Sequence, residues 1–183
     1  QHAMDALGRA AHDEAPDFFD WLFGTYYGTV LGYGDADAGR AVALTGADLA
    51  RAGITTVVDC WGVGGVGSRR ADACLVASVA AAVRTGLRWI VAPMVSDRLP
   101  PGWDALLDHH AVEPADLVAP TDVARRFADA ACDLATGRVA VWTSVELPEM
   151  AGDALLAGLG DVARARSVGF TTHVCASEAG AVD

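Results

Sequence analysis

Short apolar runs alternate with longer amphipathic stretches along most of the chain. The short runs are rich in β-branched residues, which is typical of strands buried on both faces of a parallel sheet. Between them, apolar positions recur every three or four residues, as in a helix that buries one face. The predicted strands are 54–60, 87–94, 138–146 and a fourth that starts at Gly169, and the predicted helices are 37–52, 71–84, 121–135 and 153–166.

The order of these elements indicates an α/β fold. Repeated strand–helix–strand units without hairpin turn signals predict a parallel sheet. A doubly wound open sheet satisfies this order, and so does a (β/α)8 TIM-type barrel present only as a partial barrel of about four βα units. The pattern of elements leaves both architectures open. With 183 residues, the chain predicts one domain or part of one.

The first 36 residues are rich in aromatic side chains. The spacing of Phe19, Phe23 and Tyr26 fits one face of a helix that packs on the core. In the alternative interpretation, one aromatic side chain, that of Trp21, reaches a pocket and stacks on a flat ligand. Further along, the adjacent His109 and His110 would point in different directions on a helix, so a metal site shared by these two is not expected.

Charge narrows the classes of partner. The formal net charge of −11 would repel phosphate backbones and anionic lipids, so neither nucleic acid nor a membrane surface is expected as a partner. All thirteen basic residues are Arg, which excludes a Schiff-base lysine, a P-loop lysine and a carboxylated-lysine metal bridge within this stretch. No apolar run approaches the roughly 20 residues that span a bilayer.

The four cysteines are far apart and form no C-x-x-C pair. Cys60, Cys74, Cys132 and Cys175 lie in apolar or helical contexts. This spacing favours free thiols in a reducing compartment over disulfides. The predicted location is therefore cytoplasmic.

A glycine-rich loop follows the first predicted strand. Gly62, Gly64 and Gly67 match the spacing G-x-G-x-x-G, between a strand and a helix. However, Asp59 would place a negative charge beside a pyrophosphate, and the next strand ends without the acid that binds a ribose. A flexible βα loop is the preferred interpretation. A non-catalytic binding module that uses residues 62–67 for a nucleotide remains the alternative function.

Polar side chains cluster where the predicted strands end. In parallel α/β folds the carboxyl ends of the strands meet at one edge, and active sites lie there. His173 is embedded among apolar and Thr residues, so its imidazole is either a hydrogen-bonded core group or a ligand of metal or substrate. The residues expected at this edge are Asp59, Cys60, Glu146, His173, Cys175 and Glu178.

Three segments resemble the amidohydrolase superfamily, in the branch that contains cytosine deaminase and the triazine and chloro-triazine hydrolases. Residues 41–59 are similar to the helix and second barrel strand of that family. Asp20-Trp21-Leu22 is similar to a tryptophan motif that follows its first metal-binding strand, and residues 169–173 resemble the strand that carries its fifth-strand metal histidine. The resemblance covers nearly the whole chain in order.

The resemblance implies a metal-dependent hydrolase. Residues 1–183 would be the central part of one amidohydrolase-like barrel domain, from strand two to strand five, with 1–36 following the first metal strand. One divalent ion, zinc or iron, would activate a water that attacks a ring C–N or C–halide carbon of a small nitrogenous ring compound. Ammonia, an amine or a halide would leave.

The resemblance also implies roles for particular residues. His173 would be a metal ligand, Trp21 would stack on the substrate, and Gln1 and Glu146 would be further substrate-binding residues. The proton-shuttling glutamate of the family stands three residues after the strand-five histidine, where this chain has Ala176, so Glu178 is the candidate shuttle although it lies two residues late.

Other parts of the family's site have no counterpart in the sequence. The H-x-H pair of strand one is expected before the chain, and the strand-six histidine and strand-eight aspartate after it. We therefore expect the chain alone to be inactive. A homo-oligomer, including a degenerate half-barrel that serves only in assembly, is a further hypothesis because an unclosed sheet exposes its edges.

Overall fold

A computed structural model describes residues 2–8 and 18–174. Its core is a curled sheet of parallel strands whose hydrogen-bonded order is β1-β2-β4-β5, with β3 also paired to β2. The strands are β1 (Thr56–Trp61), β2 (Arg88–Val95), β3 (Val139–Val141), β4 (Thr143–Val145) and β5 (Phe170–Thr171). The predicted half-barrel of four βα units is confirmed.

Helices connect the strands. An N-terminal segment consists of a 3-10 helix (Ala3–Leu7), then α1 (Phe18–Asp20), a π-helical stretch (Trp21–Tyr27) and α2 (Gly28–Val30). The remaining helices are α3 (Asp35–Arg51), α4 (Arg69–Thr85), α5 (Asp104–His110), α6 (Pro114–Leu117), α7 (Thr121–Ala131) and α8 (Asp153–Arg166), with short 3-10 turns at Cys132–Leu134 and Pro148–Met150. Within the described ranges, no helix is both long and apolar enough to cross a bilayer.

Local signals explain where the helices begin and end. The Ser68 hydroxyl accepts a hydrogen bond from the Ala71 N–H at 3.2 Å, which caps the first turn of α4. The same helix ends at Gly86, whose φ of 73° is the left-handed conformation that glycine adopts without strain. Both boundaries lie within two residues of those predicted from the sequence.

The third predicted strand is interrupted. It is divided at Trp142 into β3 and β4, which both pair with β2, although the Trp142 N–H still donates to the Val91 carbonyl at 3.0 Å. A Cβ on Gly169 would lie 2.5 Å from the Trp142 ring, so the chain enters β5 directly against this indole. Glycine at position 169 is therefore required by this close approach.

The two faces of the sheet have different neighbours. The register pairs Cys60 with Ala92, Met94 with Ser144, and Ser144 with Thr171, which places these five residues on one face, the inner face of the half-barrel. The other face packs on the helices. There the fully buried Trp61 donates from Nε1 to the Ser78 hydroxyl of α4 at 2.9 Å, and Trp89 is also fully buried.

The glycine-rich loop is packed against its own chain. A Cβ on Gly64 would lie 2.2 Å from Leu31 Cδ2 and 2.6 Å from the Asp116 carbonyl oxygen, and its φ is 69°. The Gly65 N–H donates to the same carbonyl at 2.8 Å. Protein atoms therefore fill the space next to these glycines, and close packing explains the motif without a bound nucleotide.

Candidate active site

His173 follows β5 and presents one ring nitrogen to the inner face. Its Nδ1 lies 2.8 Å from the Glu146 carbonyl oxygen. Because a carbonyl only accepts hydrogen bonds, Nδ1 carries the proton and Nε2 keeps its lone pair. A hydrogen bond of this kind fixes the ring orientation in metal-binding histidines. The Nε2 atom is therefore suited to bind an ion.

His2 lies directly beside His173. The two Nε2 atoms are 2.9 Å apart, and the rings are stacked with centroids 4.9 Å apart and an interplanar angle of 9°. Burial, followed by the neighbouring His173, lowers the pKa of His2 to about 4, whereas the Cys60 backbone acts in the opposite direction. A neutral imidazole at physiological pH can offer a lone pair to a cation.

The sequence interpretation missed His2. It did not name His2 as a candidate site residue, whereas the structure places His2 against His173. No motif in the sequence marks His2 as a site residue. Its significance depends on a contact across 171 residues, which periodicity cannot indicate.

Three hydrogen bonds hold the segment that carries His2. The Ala3 N–H donates to Asp59 Oδ1 at 2.9 Å, and the Thr45 hydroxyl donates to the Ala3 carbonyl at 3.3 Å. The Tyr33 hydroxyl donates to the Met4 carbonyl at 2.9 Å. The backbone that follows His2 is thus fixed to β1, to α3 and to the turn that precedes α3.

Asp59 supports this segment and does not line the cavity described below. It is fully buried and also accepts a hydrogen bond from Trp89 Nε1 at 3.2 Å. Burial raises the pKa of Asp59 to about 6, although the hydrogen bonds from Ala3 and Trp89 act in the opposite direction. The sequence interpretation grouped Asp59 with the polar strand ends, but strand alternation turns its side chain away from the inner face.

Cys60 completes a group of potential metal ligands. Its Sγ and one nitrogen each from His2 and His173 all lie within 4.8 Å of one another, the one such group of three His, Cys, Asp or Glu residues within residues 2–8 and 18–174. Burial raises the pKa of the thiol, and the neighbouring Asp59 acts in the same direction. Two imidazoles and a sulfur are donors that zinc prefers. The residues present therefore fit a zinc-type ion.

A cavity of about 360 Å³ opens next to the two histidines. Its walls are mainly apolar, and Trp21 stacks on Tyr26 with ring centroids 5.7 Å apart. The lining residues on which the argument depends are His2, His173, Trp21, Tyr26 and Glu146. Trp21, predicted from the sequence to reach a pocket, does line this one.

Glu146 is a carboxyl group placed between the cavity and a tyrosine pair. Its Oε1 accepts a short hydrogen bond from the Tyr27 hydroxyl. Burial raises the pKa of Glu146, and the Tyr27 hydrogen bond and the nearby His173 act against this effect. Burial and then Glu146 raise the pKa of Tyr26 and Tyr27, so both phenols stay protonated. The cavity therefore contains a carboxyl held by a neutral hydroxyl donor.

Other predicted residues are placed as follows. Gln1, Cys175 and Glu178 lie outside the described residues. His109 is exposed and His110 stacks on Phe23 with centroids 5.8 Å apart, so neither lies at the cavity.

The arrangement of strands and helices matches solved structures. The chain superimposes on a triply substituted variant of triazine hydrolase with a TM-score of 0.73 and 19% identity, covering 95% of this chain and 39% of that one. A doubly substituted variant of the same enzyme gives a TM-score of 0.77 and 18% identity, with coverage of 95% and 39%. The matches show the fold, a partial (β/α)8 barrel.

A second protein has the same arrangement of strands and helices. Guanine deaminase from C. acetobutylicum, solved with guanine bound in its active site, gives a TM-score of 0.72 and 13% identity over 94% of this chain. The chain spans 37% of that protein's length. No protein family model and no curated protein sequence matches the chain.

Proposed function

We propose that this chain carries part of the active site of a metal-dependent hydrolase that acts on a small nitrogenous ring compound. The observation that supports the proposal most strongly is the pair of imidazole Nε2 atoms, 2.9 Å apart, at the wall of an aromatic cavity of about 360 Å³. The likeness to triazine hydrolase and guanine deaminase adds support from the fold.

His2 and His173 would hold the ion. Zn–N bonds are about 2.0–2.1 Å, so two imidazole nitrogens on one tetrahedral ion lie about 3.3–3.4 Å apart. The observed separation of 2.9 Å needs only a small adjustment of the two rings. A bound zinc or iron would supply a water of lowered pKa, which is a nucleophile at neutral pH.

The chain's other residues would bind and orient the substrate. Trp21 would stack on a flat ring, and the apolar walls would exclude bulk water. Glu146, held by Tyr27, would accept a hydrogen bond from a ring N–H or an exocyclic amino group. Gln1 would be a further substrate contact, and Glu178 would transfer the proton to the leaving group.

The charge of the cavity narrows the substrate class. Its described lining includes Glu146 and neither Arg nor Lys, so, apart from the ion, no positively charged side chain would pair with an anionic substrate here. A neutral or cationic ring with an amino or halide substituent fits better.

Ammonia and halide release by the full-length protein tests the proposal. The panel contains aminopyrimidines, aminopurines, amino-triazines and chloro-triazines. We expect turnover of at least one compound, loss of kcat in His173→Ala, and a raised KM in Glu146→Gln. His109→Ala, an exposed histidine away from the cavity, is the matched control and should keep full activity. Activity that persists unchanged in His173→Ala would overturn the proposal.

A further inference from the structure

We propose that the Cys60 thiolate is a third protein ligand of the metal ion at His2 and His173. This inference rests on the proposed function, because it concerns the ion that the two histidines would hold. It makes the site within this chain a set of two imidazole nitrogens and one sulfur, in which the sulfur comes from β1.

Strand geometry places Cys60 on the same face as the histidines. Side chains of a strand alternate between its two faces. Both neighbours of Cys60 point to the helical layer, since Asp59 bonds to Trp89 and Trp61 bonds to Ser78. Cys60 therefore points to the inner face.

The distances agree with a common ion. The Cys60 sulfur and the His2 and His173 nitrogens are within 4.8 Å of one another. With Zn–S bonds of about 2.3 Å and Zn–N bonds of about 2.0–2.1 Å, tetrahedral ligation puts sulfur and nitrogen about 3.5–3.6 Å apart. The limit of 4.8 Å exceeds this separation by only about 1.3 Å.

The other described thiols already have partners. Cys132 Sγ donates to the Ala128 carbonyl at 3.4 Å, and Cys74 Sγ lies 3.7 Å from the Tyr33 carbonyl. Among the described residues, no hydrogen bond is made by the half-buried Cys60 thiol. Of the three described thiols, Cys60 is thus the one that remains available to an ion.

Ligation by Cys60 has a defined proton balance. The S–H bond breaks, a sulfur–metal bond forms, and the proton passes to solvent, so metal uptake releases one proton from this residue. A thiolate also makes the site softer, which favours zinc over manganese or magnesium.

Cobalt(II) substitution of the full-length protein tests the inference, because a thiolate ligand gives cobalt a charge-transfer absorption in the near ultraviolet that nitrogen and oxygen ligands do not give. We expect this band in the wild type and its loss in Cys60→Ser, with the visible ligand-field bands of cobalt retained. Zinc affinity should fall by about tenfold or more in the same variant.

Three controls make the result specific. Cys74→Ser and Cys132→Ser should keep the charge-transfer band because these thiols lie away from the site, and Cys175→Ser tests the remaining thiol of the chain. Far-ultraviolet circular dichroism verifies that Cys60→Ser is folded. Two results would overturn the Cys60 inference but leave the proposed function standing. One is a wild type with ligand-field bands and no charge-transfer band, and the other is a charge-transfer band that survives in Cys60→Ser. Absence of all cobalt bands would overturn the proposed function as well.

Discussion

Asp59 links the stability of the chain to the position of a candidate metal ligand. Its carboxyl is buried and accepts hydrogen bonds from the Ala3 N–H, one residue after His2, and from Trp89. The pKa of this carboxyl is about 6 in the folded chain and 3.8 for an ordinary Asp. Because the folded state holds the proton more tightly, the contribution of Asp59 is fully present below about pH 4 and is lost as pH rises through about 6.

The first prediction concerns Asp59→Asn. The free energy of unfolding of the metal-free wild type, minus that of the variant, should decrease by roughly 2–2.5 kcal/mol between pH 4 and pH 7. His2, whose pKa is lowered to about 4, gives a slope of the opposite sign, but it is present in both proteins and cancels in the difference. Urea unfolding at a series of pH values measures this. A difference that does not change with pH would contradict a buried, titrating Asp59.

The second prediction concerns the tyrosine pair. Tyr27→Phe removes the donor to Glu146 and leaves a buried carboxyl oxygen without it, so we expect a loss of about 1–3 kcal/mol of stability. Tyr26→Phe is the matched control. It removes only a 3.3 Å hydrogen bond to the Gly62 carbonyl and should cost about 0.5–1.5 kcal/mol. Equal costs in urea unfolding would contradict a special role of the Tyr27–Glu146 contact.

At the residue scale, the sequence predicted part of the cavity wall. Glu146 and His173 could be identified because each lies at the end of a predicted strand, and Trp21 because its segment resembles a tryptophan motif of the amidohydrolase superfamily. His2 could not be identified, since its significance depends on a contact with the far end of the chain. Asp59 was predicted to lie with the polar strand ends at the site, but its side chain points away from the inner face. Adjacent residues of a strand face opposite sides, so a difference of one position separates Asp59 from Cys60.

At the scale of elements, the glycine loop after β1 provides the third prediction. Gly64 and Gly53 both have positive φ, of 69° and 76°, but only at Gly64 would an added Cβ meet other atoms, Leu31 Cδ2 and the Asp116 oxygen. Gly53→Ala should therefore cost about 1–2 kcal/mol from backbone strain alone. Gly64→Ala should cost about 1–3 kcal/mol more, because the methyl group overlaps its neighbours. Similar unfolding free energies for the two variants would contradict a packed loop.

The pattern of elements was more predictable than their details. The bounds of α8 (Asp153–Arg166) are those predicted, because its apolar spacing is a local signal. The break at Trp142 and the short β5 were not predicted, since a run of apolar residues indicates a strand but not where its ladder is interrupted. The π-helical stretch Trp21–Tyr27 was predicted only as a helix, because spacings of three and four do not distinguish the helix types.

At the scale of the whole molecule, the strands bring the two ends of the described chain together. His2 and His173 meet across the inner face of a half-barrel whose helices cover the outer face. The periodicity of the sequence does not distinguish an open sheet from a barrel, because the curvature of the sheet depends on contacts between distant segments. The amidohydrolase resemblance supplied that choice, and the structural matches confirm it for the fold.

The fourth prediction follows from this junction of distant segments. Residues so far apart in sequence come together only in the folded state, so the ion binds the folded state and not the unfolded chain. Binding then stabilises the fold by about 2.7 kcal/mol when the concentration of free zinc is about 100 times its Kd. We expect zinc to raise the thermal midpoint of the wild type and EDTA to reverse the rise. Zinc should have no such effect on His2→Ala. A midpoint of the wild type that does not respond to zinc would contradict metal-linked folding.

The metal content of the purified full-length protein tests the central claim most directly. The account predicts one zinc or iron per chain in the wild type and in His109→Ala, and loss of that ion in both His2→Ala and His173→Ala. Retention of the ion in either of these two variants would contradict the claim that the paired histidines form a metal site.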